Sequence, residues 1–161
     1  MPVTLRHALP WWLLAGAIAV LDQLTKLLAD AQLELHHALP VTPFFNLTLM
    51  YNEGAAFSLL ADEQGWQRWF FIVLSSAVSI ALAIWLNRLK RNERWLAAGL
   101  SLVLGGAIGN LIDRVVHGHV IDFIQVYYQQ WYWPTFNIAD SAISVGAAIL
   151  ITSSLFARQG D

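Results

Sequence analysis

Four long apolar runs, separated by short polar stretches, dominate the chain. A helix that crosses a bilayer needs roughly 20 consecutive, mostly apolar residues, so each run predicts a transmembrane helix. The first covers residues 8–29 and stays apolar until Asp22. The second, 69–86, and the third, 95–112, contain no charge, and the fourth, 138–156, carries Asp140 near its start. Trp11, Trp12, Trp69, Trp85, Trp95 and Trp133 stand near the ends of these runs, where amphipathic rings favour the membrane interface. A cleavable signal peptide is the alternative for the first run, because Arg6 precedes a short apolar core and Ala17-Ile18-Ala19 resembles a small-residue cleavage site. The apolar pattern continues past that site, and three more spans follow.

The connecting segments carry weaker patterns. Phe44 to Tyr51 is rich in aromatic and β-branched residues and loosely alternates, which predicts a short strand. Asn52-Glu53-Gly54 reads as a turn, and Ala55 to Arg68 as a short interfacial helix leading into the second span. Val120 to Val126 predicts another strand. Nothing marks a linker or a repeat, so residues 1–161 read as a single domain. The expected fold is mainly α and membrane-integral: four transmembrane helices with a small β element and one interfacial helix.

Composition strengthens the membrane reading. The chain is 57% hydrophobic and 12% charged, with a mean hydropathy of +0.52, whereas soluble domains carry about 25% charged residues. A net charge of −2 gives no reason to expect nucleic acid as a partner. Without cysteine there is no disulfide, thiolate nucleophile or cysteine-ligated zinc. The positive charges are patterned: Arg88, Lys90, Arg91 and Arg94 crowd the link between spans two and three, while Arg6 and Arg158 flank the termini. These six of the nine basic residues fall on one side of a four-span bundle. The positive-inside rule makes that side cytoplasmic, with both termini inside and the segments near 30–67 and 113–137 outside.

Ionisable groups in spans are expensive, about 2.5–3.5 kcal/mol each at a helix centre on insertion scales, and here they share one address. Asp22 and Lys26 stand at the outer end of span one, Asn110, Asp113 and Arg114 at that end of span three, and Asn137 and Asp140 at that end of span four. Asp122 lies in the adjoining loop. Asp22 and Lys26, one helical turn apart, can pair, either as a structural ion pair or as part of a site. Asp113 and Arg114 read as interfacial anchors, although a guanidinium at 114 also suits a peptide carbonyl or carboxylate. Gly105 and Gly109 fit a small-xxx-small helix contact. Asp140 suits the first turn of a helix as a cap, but Asp122 sits among apolar strand residues where a carboxylate is disfavoured. Two carboxylates at one apolar boundary point to a dyad that shares a proton. One then acts as base towards water while the other, protonated, polarises a carbonyl.

Other chemistries have less support. Ser141 adjoins Asp140 without a base placed beside it, and His117-Gly118-His119 with Asp122 reads as a metal site only without the helical HExxH pattern. A transporter or proton channel predicts ionisable residues through the whole membrane thickness, and the inner halves of these spans carry no charge. A non-catalytic adaptor leaves the pairing of Asp122 with Asp140 unexplained.

Five separated motifs resemble those of the lipoprotein signal peptidase, or signal peptidase II, family. They are Asp22-Gln23-Leu24-Thr25-Lys26, Asn52-Glu53-Gly54-Ala55-Ala56-Phe57, the stretch from Gly105 to Arg114, Gly118-His119-Val120-Ile121-Asp122-Phe123, and Phe136-Asn137-Ile138-Ala139-Asp140-Ser141. The resemblance implies an aspartic endopeptidase of the bacterial inner membrane that uses no metal or organic cofactor. Its substrates are prolipoproteins already carrying a diacylglyceryl group, cut before the lipidated cysteine. It implies Asp122 and Asp140 as the catalytic dyad at the periplasmic face. Asn52, Gly54, Asn110, Arg114 and Asn137 would bind substrate or order the site, with Asp22 and Lys26 in support. Strand residues around 44–51 would form part of an extracytoplasmic cradle. Membrane lipid is the expected surrounding, and the expected working unit is a monomer.

Overall fold

The computed structural model describes residues 5–54 and 66–157. Among them, helix α1 (Leu5–Gln32) is followed by strands β1 (Ala38–Thr42) and β2 (Phe45–Asn52). Helices α2 (Trp66–Arg88) and α3 (Arg94–Val116), strands β3 (Val120–Tyr128) and β4 (Trp131–Tyr132), and helix α4 (Ile138–Ala157) complete the order. All four helices are long and apolar enough to cross a membrane. The expected spans are all present, and each helix overruns the run that predicted it.

Helix α3 is the centre of the bundle. Half of its most apolar stretch is buried, against 6% for α2. In lipid, apolar side chains gain little by leaving one hydrocarbon surrounding for another, so helices associate through close packing, which small residues permit. The chain supplies them on two faces of α3. A Cβ on Gly105 would stand 2.6 Å from the Ala15 carbonyl oxygen of α1. On the α4 side, a Cβ on Gly146 would stand 2.7 Å from the Gly99 carbonyl oxygen. The Gly105/Gly109 contact expected from sequence is therefore the α1–α3 seam. Ala15, Leu86, Leu89, Ala97, Leu100 and Leu104 form the buried cluster at the other end of the bundle from Asp22 and Asp140. Leu13, Val20, Leu24 and Leu27 on α1, and Trp69, Val73 and Ile80 on α2, are exposed, as lipid-facing residues are.

The strands make one antiparallel sheet in the order β1-β2-β3-β4. Met50 pairs with Asp122, Tyr51 with Ile121 and Asn52 with Val120, beyond a register shift between Leu47 and Met50. The β3–β4 hairpin turns the chain back, and an isolated antiparallel bridge joins Ile124 to Phe136. Phe123 N and Ile124 N both donate to the Phe136 carbonyl, and Phe136 N donates to Ile124. That return brings Asn137 and the start of α4 beside Asp122.

Differences from the sequence expectation are local. The predicted strand 44–51 is β2, shifted by one residue, and 120–126 is β3, two residues longer. Strands β1 and β4 were not expected: β1 contains Pro40, and β4 is only two residues long. The interfacial helix expected over 55–68 falls largely on residues 55–65, outside those described. Its last part, from Trp66 to Arg68, is continuous with α2, because nothing in the sequence breaks the helix before Trp69.

Candidate active site

Asp122 is held by the sheet, and Asp140 by the first turn of α4. In strand β3, Val120, Ile121, Asp122 and Phe123 are all buried. Asp122 is 1% exposed. Its Oδ2 accepts from Asn52 Nδ2 at 3.1 Å and its Oδ1 from Asn137 Nδ2 at 2.7 Å. Burial first, and the neighbouring negative charge of Asp140 second, push the Asp122 carboxyl up from 3.8 to about 7. Both effects disfavour the charged form, while the two asparagine donors pull the other way.

Asp140 is only partly buried. Its amide donates to Asn137 Oδ1 at 2.9 Å, and its Oδ2 accepts from the Asn137 amide at 3.3 Å. This reciprocal pair is a capping box, with aspartate in place of the usual glutamate. The cap reading of Asp140 is therefore correct and incomplete, because its Oδ1 also accepts from Asn110 Nδ2 at 2.8 Å. Asn137 is the hinge of the arrangement: its backbone and carbonyl oxygen hold Asp140 while its amide nitrogen holds Asp122.

Behind the two carboxylates lies a buried ionic layer. Lys26 Nζ stands 2.8 Å from Asp22 and 2.8 Å from Asp113, and donates to Asn110 Oδ1 at 2.9 Å. With Asp22 and Lys26 0% and 1% exposed, this pair is no interfacial anchor. Asp22 Oδ1 accepts the Ala139 amide at 2.9 Å, which fixes the first turn of α4, and Asp113 Oδ2 accepts the Ile121 amide at 3.1 Å, which fixes β3. A single lysine thus organises the elements carrying both site aspartates. Asn110 hands that order on, since its Oδ1 also accepts from Asn137 Nδ2 at 3.2 Å.

The interfacial-anchor reading of Asp113 needs correction. Asp113 is buried and faces α1, because it continues the Gly105–Gly109 face at four-residue spacing; Arg114, one position on, points elsewhere. Its guanidinium lies 5.1 Å from the centre of the Phe71 ring, and Nη1 donates to the Asn110 carbonyl at 3.3 Å. Its Nε is buried and finds no acceptor among the described residues. Gly54 reaches the site through its amide, which donates to Asn52 Oδ1 at 3.1 Å and sets that side chain.

Two residues gained no role from sequence. Gln23 Nε2 donates to Asp113 Oδ1 at 2.7 Å and to the Gly109 carbonyl at 3.1 Å; a lone amide one position from Asp22 in an apolar run was the available signal. Arg68 donates to the carbonyls of Arg114 at 3.0 Å and Val115 at 2.9 Å, satisfying the open end of α3. His119, weighed as a metal ligand with His117, stacks on Tyr51 at 4.2 Å. The Tyr51 hydroxyl donates to Asp30 at 2.7 Å.

Comparison with known proteins follows the same outline. The family described as Signal peptidase (SPase) II matches residues 14–156. A lipoprotein signal peptidase of Pseudomonas aeruginosa (strain UCBPP-PA14) is 55% identical over 144 residues, 88% of this chain and 85% of that protein. One from Teredinibacter turnerae is 50% identical over 158 residues, 96% of this chain and 94% of that protein. A bacterial membrane enzyme solved by the in meso method at 2.3 Å resolution superposes with a TM-score of 0.85 at 29% identity, covering 99% of this chain and 94% of that one. A second, at 1.9 Å resolution, gives 0.80 at 30% identity, covering 96% of each.

Proposed function

The chain belongs to the signal peptidase II family, membrane aspartic peptidases that cleave the signal peptides of prolipoproteins, and from that premise we propose how its residues divide the work. Asp122 and Asp140 are the catalytic pair. The supporting observation is Asn137, which hydrogen-bonds both of them while Asp122 is buried and Asp140 is partly open.

That asymmetry assigns the roles. Asp122, pushed up to about 7, is still protonated in a large share of molecules at neutral pH, and in that form it donates a hydrogen bond to the scissile carbonyl oxygen. Asp140, reachable by water, takes a proton from the attacking water as its oxygen bonds to the carbonyl carbon. Asp122 passes its own proton to the carbonyl oxygen, which gives a neutral gem-diol. Collapse of the gem-diol breaks the C–N bond. The proton held by Asp140 moves to the leaving amine, and a gem-diol hydroxyl returns one to Asp122. Proton inventory at the end equals that at the start, and no group outside the chain and the substrate is needed to balance it.

Asn52, Asn110 and Asn137 hold the pair, and Gly54 sets Asn52. Arg114, with a buried Nε lacking an acceptor among the described residues, is suited to a substrate carbonyl. Asp22 and Lys26 support the site from below. The substrate is a diacylglyceryl-modified prolipoprotein, cut before the lipidated cysteine. Its acyl chains keep it in the bilayer, which suits a dyad at the ends of α3 and α4. The cluster of Arg88, Lys90, Arg91 and Arg94 at the other end supports an inner-membrane orientation with cytoplasmic termini and the dyad at the periplasmic face. We take residues 1–161 as a single domain working as a monomer.

The test is cleavage of a diacylglyceryl-modified prolipoprotein by purified Asp122→Asn and Asp140→Asn variants. Both are expected to insert into the membrane and to lose activity; turnover near the parent rate by either would remove that aspartate from the pair. A reporter fused after Arg91 is expected on the cytoplasmic side, and an external signal there would reverse the orientation.

A further inference from the structure

A cavity lies far from the aspartates. It has a volume of about 210 Å³ and opens between the start of α1 and the α2–α3 link, with Trp11, Lys90, Arg91, Glu93 and Arg94 in its lining. Along α3 alone, Ala97 and Asn110 are separated by about 20 Å at 1.5 Å per residue, so the catalytic machinery does not reach it.

Its construction is amphipathic. Ala8, Leu86, Leu89 and Ala97 are buried and make an apolar floor, while the side chains of Lys90, Arg91 and Arg94 are exposed at the rim. The one acidic lining residue, Glu93, turns its carboxylate to the Lys90 amide at 2.5 Å. None of the three cations makes an ion pair with an acidic side chain among the described residues. Helix α3 begins in the same wall, at Arg94, and contributes the positive end of its dipole. Trp11 supplies an aromatic side suited to the interface between hydrocarbon and water. Three cations with no acidic partner among the described residues, over an apolar floor at a span end, fit an anionic head whose tails continue into the bilayer.

We propose that this cavity binds the phosphate headgroup of an anionic phospholipid in the leaflet opposite the aspartate pair. The charge argues against the obvious alternative, the start of a substrate's signal peptide, because such n-regions are themselves positive. A bound anionic headgroup would neutralise the rim and pin the start of α1 to the α2–α3 link. The site stands on the cavity and its charges and is independent of the catalytic assignment.

Native mass spectrometry of the detergent-solubilised full chain, titrated with dioleoylphosphatidylglycerol or dioleoylphosphatidylethanolamine, tests it. Retention of the anionic lipid is expected to exceed that of the zwitterionic one. A Lys90→Gln/Arg91→Gln/Arg94→Gln variant is expected to weaken it by about tenfold or more. The same variant should cleave prolipoprotein in detergent at the parent rate, which separates loss of the lipid site from loss of fold. Equal retention of phosphatidylglycerol by parent and variant would overturn the proposal. Displacement of bound lipid by millimolar inorganic phosphate would also overturn it, by reassigning the cavity to a free anion.

Discussion

The amide nitrogen of Asn137 lies 2.7 Å from Oδ1 of Asp122, and the same side chain caps the helix that begins with Asp140. One residue therefore performs two separable tasks, and two substitutions divide them. Asn137→Ala removes both: the cap, worth about 0.5–2 kcal/mol, and the donor to Asp122. Asn137→Ser keeps a capping oxygen but cannot donate to Asp122 over that span. Thermal unfolding should place Ser near the parent and Ala below it. Both are expected to lose roughly a hundredfold in kcat, the low end of what general acid–base groups contribute. Full activity in the Ser variant would show that the Asn137–Asp122 bond is dispensable.

The raised Asp122 carboxyl has consequences for stability as well as rate. Its folded value of about 7 lies above the ordinary 3.8, so the folded state binds the proton more tightly than the unfolded one. Stability on this account is highest below 3.8 and falls as pH rises through 7, by up to about 4 kcal/mol at pH 8. Asp122→Asn removes that penalty. Its melting temperature is expected to exceed the parent's at pH 8 and to match it near pH 4. A variant without activity and less stable than the parent at pH 8 would contradict a protonated, buried Asp122.

The rate should follow the same group. If Asp122 must hold its proton, activity declines as pH rises through about 7. Asn52 donates to the charged form and holds the value down. In Asn52→Ala the alkaline limb of the kcat profile is expected to move to higher pH, with a lower plateau. A limb moved to lower pH would assign it to another group.

How much of this was legible beforehand follows from what sequence records. Hydropathy along the chain is a one-dimensional signal, and it marked the four spans because each must satisfy its own backbone within lipid. The address of the polar groups was also visible, since Asp22, Asn110, Asp113, Asn137 and Asp140 all lie at span ends of matching direction. The dyad was expected, but the route that brings the start of α4 beside Asp122 was not visible, because it depends on the Ile124–Phe136 bridge and on a hairpin whose second strand, Trp131–Tyr132, is too short to announce itself. Asp113 was misread for a simpler reason. Its four-residue spacing from Gly109 places it on the α1-facing side of α3, but that face becomes visible only after the Gly105–Gly109 contact has been assigned to α1.

Lys26 stands between two carboxylates in a region almost without solvent. Removing one partner of a buried pair leaves uncompensated charge and costs about 3–5 kcal/mol. Lys26→Met should fall in that range by unfolding in detergent, and it should lose activity because Asn110 Oδ1 also loses the shorter of its two donors. Adding Asp22→Asn and Asp113→Asn to Lys26→Met removes the stranded charges. Most of the lost stability is expected to return while activity stays low, since the ordered path from Lys26 to Asn110 is still broken. Recovery of activity with stability would reduce the whole ionic layer to a scaffold.

Two glycines give the sharpest contrast between a packing requirement and none. A Cβ at position 109 would stand 2.5 Å from Asp22 Oδ2 and 3.4 Å from the Ala139 Cβ. At position 16, also in a helix, nothing lies within 4 Å. Alanine is favoured over glycine inside a helix by about 0.5–1 kcal/mol, and that preference acts equally at both sites. At Gly16 it acts alone, so Gly16→Ala should leave activity unchanged and raise stability slightly. At Gly109 the added methyl must displace the carboxylate that holds Lys26 and the Ala139 amide. The resulting overpacking costs about 1–3 kcal/mol, enough to reverse the sign. Because the Ala139 amide leads directly into the turn carrying Asp140, Gly109→Ala is expected to lower kcat for prolipoprotein cleavage along with the melting temperature. If both alanine variants behave alike, the close seam between α1 and α3 at Asp22 is not what sets the position of the site.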